Sequence, residues 1–85
     1  MNTDQTFVRE KVKEYIQQAT FVEKDKIKDD SLIFKEGYFD SMGFVVLLTF
    51  LEDNFGIKTI DADLVEENFE SINAITEFII RKKFN

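Results

Sequence analysis

Apolar residues near the start of the chain recur with a helical period. Val8, Val12, Tyr15, Ile16 and Ala19 fall at i, i+4, i+7, i+8 and i+11, one stripe on a helix that Thr3 can cap and that ends near Thr20. From Phe21 to Phe39 no period is sustained. Charge alternates from Lys24 to Asp30, and Ile27, Leu32, Ile33 and Phe34 are spaced like the anchors of an ordered connection packed across helix ends. A second helix starts at Asp40-Ser41, where short polar side chains can accept bonds from first-turn amides, and Gly56 stops it after Phe55. On its wheel Phe44, Leu47, Leu48, Leu51 and Phe55 share one face, while Met42, Val46, Thr49 and Asp53 share the opposite one. Asp61 to Asn68 predicts a short third helix. Ser71 caps a fourth, with Ile72, Ile75, Phe78 and Ile79 on its stripe and Arg81 to Lys83 in the last turn, complementing the helix dipole. The pattern predicts an all-α chain: three longer helices and one short one, antiparallel around one core, with a long loop between the first two. No repeat, low-complexity segment or linker interrupts it, so residues 1–85 read as a single domain.

Composition narrows what such a chain can do. At 85 residues it buries only about 60% of its unfolded surface, so its stability margin is modest. Ten Phe with no Trp, Cys or Pro point to a core of aromatic and branched aliphatic side chains without disulfides or zinc thiolates. There is no His, so the usual proton shuttle near neutral pH and the commonest metal ligand are both missing. Catalysis by the chain itself is not expected. No apolar run approaches about 18 residues and no basic-apolar-small leader opens the chain, which predicts a cytoplasmic protein without a membrane span.

The net charge of −6 is unevenly spread. From Glu36 to Glu77 ten acids face one base, Lys58, while the remaining residues carry seven acids and ten bases. A long acidic segment repels phosphate backbones and attracts basic protein surfaces, which argues against nucleic acid and for protein partners. The plainer reading is a well-solvated acidic surface. Asp61 and Asp63 bring calcium to mind, but the glycine and bidentate Glu of a helix-loop-helix calcium site are absent at the right offsets.

Taken alone, Asp40-Ser41 is an ordinary helix cap. Its surroundings add more: Glu36-Gly37-Tyr38-Phe39-Asp40-Ser41-Met42-Gly43 leads into the apolar helix and Leu51-Glu52-Asp53-Asn54-Phe55-Gly56-Ile57 closes it. Glu67-Asn68-Phe69-Glu70-Ser71-Ile72 follows, then Ile75 and Phe78-Ile79. At these residues the chain resembles the phosphopantetheine-binding acyl carrier and peptidyl carrier family, over matching segments from Phe34 to Ile79. The resemblance implies a four-helix acyl-carrier-like bundle, with a 4'-phosphopantetheine arm from coenzyme A attached at Ser41. Asp40 would be the adjoining acid that assists metal binding while a phosphopantetheinyl transferase attaches the arm. Acyl or aminoacyl groups would be held as thioesters and presented to partner enzymes.

The residues themselves are consistent with that. A hydroxyl at a helix N-terminus is exposed, and a phosphodiester formed on it lies near free amides and the positive end of the helix. Asp40 alone repels that phosphate; a divalent cation during transfer offsets the repulsion. A chain without Cys cannot form a thioester unaided, and a tethered thiol supplies one at high effective concentration. Met42, Val45 and Val46 lie beside the proposed arm and suggest a docking face, unless the long loop covers them. Thr49, Glu52, Asp53, Glu66 and Glu67 extend that candidate face. Housekeeping fatty-acid carriers place acids two and five positions after the serine, where this chain has Gly43 and Val46. The run from Glu36 to Gly43 looks more like free-standing carriers loaded by a dedicated adenylating ligase, such as D-alanyl or secondary-metabolism carriers.

Expected partners are thus a transferase and an adenylating acyl or aminoacyl ligase, or an acyltransferase or synthase, acting on a monomer. The competing reading from another class is an unmodified acidic helical interaction module. A serine hydrolase ranks below both, because Ser41 has no His and no supporting Lys pattern.

Overall fold

A computed structural model describes residues 5–20 and 26–84. Four α-helices form, α1 Gln5–Thr20, α2 Ser41–Phe55, α3 Glu66–Phe69 and α4 Ile72–Phe84, with no strand among the described residues. The expected Thr3 cap and the start of the long loop lie outside those residues. One apolar cluster joins Val8, Val12 and Ile16 of α1, Leu47, Leu51 and Phe55 of α2, Phe69 of α3, and Ile72, Ile75, Phe78 and Ile79 of α4. Each such side chain, fully buried, contributes about 1.5–3 kcal/mol. Helix α4 packs against the other three.

The stripe of α1 ends at Ile16 rather than Ala19, which is exposed. The core stops one turn before the helix does. Tyr15 takes over the end of the stripe by stacking on Phe50 with ring centroids 4.1 Å apart, and burial there raises its phenol pKa.

The long loop is ordered by its anchors. Ile27 and Ile33 are buried and Phe34 packs on the core, whereas Leu32 stays half-exposed and outside the cluster. Two straps tie the loop down. Asp29 accepts the Asn73 amide of α4 at 2.9 Å and pairs with Lys13 and Arg9 of α1 at 3.4 and 3.8 Å. Ile33 donates its amide to Glu70 at 2.9 Å and its carbonyl accepts from both Tyr38 and Phe39. Gly37, at φ +85°, makes the reversal that only glycine adopts freely.

The expected continuous third helix is two pieces, a 3₁₀ turn at Asp61–Asp63 and the single-turn α3, with Val65 extended between them. The Asp63 carboxylate accepts the Ile60 amide at 3.0 Å and caps the 3₁₀ turn. The Asn68 side chain competes with the backbone ladder by donating to the Asp63 carbonyl at 2.8 Å. Asp63 also pairs with Lys82 at 2.8 Å, so it is a structural anchor rather than a solvated acid. Arg81 donates to Asn68 and Lys83 to the Phe55 carbonyl at the end of α2. The basic last turn of α4 therefore clamps two neighbouring segments as well as complementing its own dipole.

Candidate functional site

Helix α2 begins as its residues dictate. Asp40 is extended, and its Oδ1 accepts the Gly43 amide at 2.9 Å, while its carbonyl accepts the Phe44 amide at 2.9 Å. Gly56 closes the helix in the left-handed region at φ 67°, donating its amide to Glu52. Gly43 packs closely on the loop: a Cβ there would come within 3.3 Å of the Phe39 ring, a tight contact.

Ser41 is the first residue of α2, and it is exposed. The chain has two other serines, Ser31 and Ser71, and both are buried. Their hydroxyls are engaged, Ser31 accepting from the Lys28 amide and Ser71 from the Ala74 amide as the cap of α4. The Ser41 hydroxyl has no hydrogen-bond partner among the described residues. Of the three, it alone is open to a reagent.

A groove of about 620 Å³ opens beside this hydroxyl, walled by Phe44 and Val45 of α2, Leu64 and Val65 between the 3₁₀ turn and α3, and Phe69 of α3. Lys35 and Phe34 of the loop, with Asp40 and Glu66, complete its rim. Its floor is an aromatic chain in which Phe44 meets Phe34 at 5.7 Å and Phe69 at 5.2 Å, edge to face. An exposed hydroxyl at the edge of an apolar trough with charged lips suits a flexible tether that is polar at its anchored end. A second groove of about 340 Å³ lies on the other flank of α2, between Tyr15 and Ala19 of α1, Tyr38 and Phe39 of the loop, and Val46.

The outward residues of α2 lie beside the site and are not covered by the described part of the loop: Met42 is 74% exposed, Val45 59% and Val46 54%. Thr49, Asp53, Glu66 and Glu67 are exposed as well. Glu52 differs from these neighbours. It is half-buried, and its Oε2 accepts both the amide and the hydroxyl of Thr59, at 3.1 and 2.8 Å. Those two bonds, the amide first, hold its pKa below the ordinary Glu value, so one of its oxygens serves an internal clasp. Asp63 is likewise lowered, chiefly by Lys82 and then by the Ile60 amide.

No cluster of three metal-ligating side chains occurs among the described residues. Asp40 offers one carboxylate, whose Oδ2 makes no bond among them. Sequence reasoning did not single out Lys35, Leu64 or Val65 for the site. Only the apolar Ile60, Leu64 and Val65, standing exposed in an acidic stretch, signal a surface there.

Residues 10–79 match the family described as the phosphopantetheine attachment site. A search of curated proteins finds no match. The chain therefore belongs to the phosphopantetheine attachment-site family, whose members are non-catalytic carriers of a covalently attached 4'-phosphopantetheine group.

Proposed function

We propose that residues 1–85 form a single carrier domain whose arm is anchored at Ser41, and that it presents acyl or aminoacyl thioesters to partner enzymes. The observation that carries this reading is the contrast among the three serines: two buried and hydrogen-bonded, one exposed at the start of α2. When bound, the group supplies the thiol that this chain lacks. The chain's own residues do the rest. Asp40 holds the first turn through Gly43, keeping Ser41 at the positive end of α2, where an anion gains about 0.3–1 kcal/mol. Its free Oδ2 is available to a divalent cation while the arm is transferred.

Met42, Val45, Val46 and Thr49 form the docking face next to the anchor, with Asp53, Glu66 and Glu67 around it and Glu52 as its half-buried edge. An exposed apolar strip with an acidic border fits a partner surface that is apolar at its centre and basic around it. Gly43 and Val46 in place of acids support a free-standing carrier served by a dedicated adenylating ligase over the general fatty-acid carrier. The reading makes the chain a cytoplasmic monomer, first modified by a phosphopantetheinyl transferase.

Incubating the purified chain with coenzyme A and a broad-specificity phosphopantetheinyl transferase tests it. Intact mass should rise by one phosphopantetheinyl group in the wild type and not at all in Ser41→Ala. A wild type that stays unmodified, while folded, supports the unmodified interaction module instead.

A further inference from the structure

Lys35 is the basic residue of the groove that Ser41 borders, where Asp40 and Glu66 are the acids. It is exposed, and its ammonium has no ion pair or hydrogen bond among the described residues. That sets it apart from most cations of α1 and α4: Arg9 and Lys13 are held by Asp29, Lys82 by Asp63, Arg81 by Asn68 and Lys83 by the Phe55 carbonyl, while Lys11 lies over the Phe7 ring. Its place is set by the loop. Glu36 and Gly37 donate their amides to the Leu32 and Phe34 carbonyls, and Tyr38 and Phe39 return theirs to Ile33. A helical turn followed by a reversal brings residue 35 back to the rim that begins at residue 40.

The charge balance of this rim changes when Ser41 is esterified. A phosphodiester adds one negative charge between Asp40 and Glu66, within a segment that already carries ten acids and one base. A nearby cation offsets part of that added charge once any transfer metal has left. We infer that Lys35 is the positioning residue for the arm, pairing with the phosphodiester on Ser41 and holding the arm's anchored end against the groove. This rests on the reading of Ser41 given above. It assigns to the loop a role beyond covering helix ends.

The test compares wild type, Lys35→Gln, Lys35→Arg and, as a control of equal charge change away from the groove, Lys58→Gln. Each is prepared without and with the arm, and intact mass confirms complete loading. Thermal midpoints are then measured at low ionic strength and at about 1 M salt, where screening acts over about 3 Å. At low salt the arm should raise the midpoint of wild type, Lys35→Arg and Lys58→Gln by about 2 °C more than that of Lys35→Gln. At high salt the difference should vanish. The ε-methylene NMR signals of Lys35 should also move on loading, and those of Lys58 should not. Equal arm-induced shifts in fully loaded wild type and Lys35→Gln, or an equal loss in Lys58→Gln, overturn the Lys35 assignment while leaving Ser41 intact. Absence of loading in every variant overturns the Ser41 reading, and the Lys35 assignment with it.

Discussion

Asp40 accepts the Gly43 amide at 2.9 Å, and a helix that loses such a cap loses about 1 kcal/mol. In a domain of this size that is a fall of about 4–8 °C in thermal midpoint. Asp40→Ala should show this fall and Asp40→Asn much less of it, since Asn still accepts the amide. Both variants should be loaded more slowly by a transferase, because both lack the carboxylate. Melting curves and a loading time course separate the two roles, and equal loading rates for wild type and Asp40→Asn contradict the charge assignment. Glu52 and Asp63 add a pH dependence of defined sign. Their folded-state pKa values lie below the ordinary ones, so the stability they contribute is fully present above the ordinary carboxylate range. It is lost as pH falls through that range toward the folded values. Thermal midpoints should thus be nearly level down to about pH 5 and then decline. Asp63→Asn should be less stable than wild type at neutral pH, with the gap narrowing as pH falls; a gap independent of pH rules out the Asp63–Lys82 pair as its source.

Helix α2 carries two faces with separate purposes, core on one side and open surface on the other. Leu47, Leu51 and Phe55 are buried, whereas Met42, Val45 and Val46 have more than half their surface in water. Val46→Glu should therefore leave the helix content and thermal midpoint nearly unchanged while reducing loading by partner enzymes several-fold. Circular dichroism and a loading assay check this, and an unfolded Val46→Glu places that side chain in the core instead. The bounds of α2 were legible because both ends carry local chemistry, a capping carboxylate at Asp40 and a left-handed glycine at Gly56. The stretch from Asp61 to Asn68 was not, since the Asn68 side chain takes the Asp63 carbonyl that a continuous helix needs, and such competition leaves no mark in an apolar period. Ala19 misled for a different reason. It keeps the phase of the stripe but lies one turn beyond the core.

Across the whole molecule, an aromatic chain from Phe34 through Phe44 and Phe69 to Phe78 links the loop, α2, α3 and α4 beneath the groove that Ser41 borders. Ten Phe in the sequence announced such a core, yet their partners depend on long-range packing that no spacing encodes. Much of the site was legible for the same reason as the helices: Asp40-Ser41 is a local start signal, and the outward face of α2 follows from the wheel. The groove was not, because Lys35, Leu64 and Val65 reach it only after the loop and the broken third helix fold back. The Glu52 clasp was hidden likewise, depending on Thr59 across the turn at Gly56.

The most direct test of the account is fragmentation of the transferase-treated protein to locate the added group. The account predicts the phosphopantetheinyl mass on Ser41, with Ser31 and Ser71 unmodified. Attachment at either of those buried serines, or at no residue of the folded chain, would contradict it.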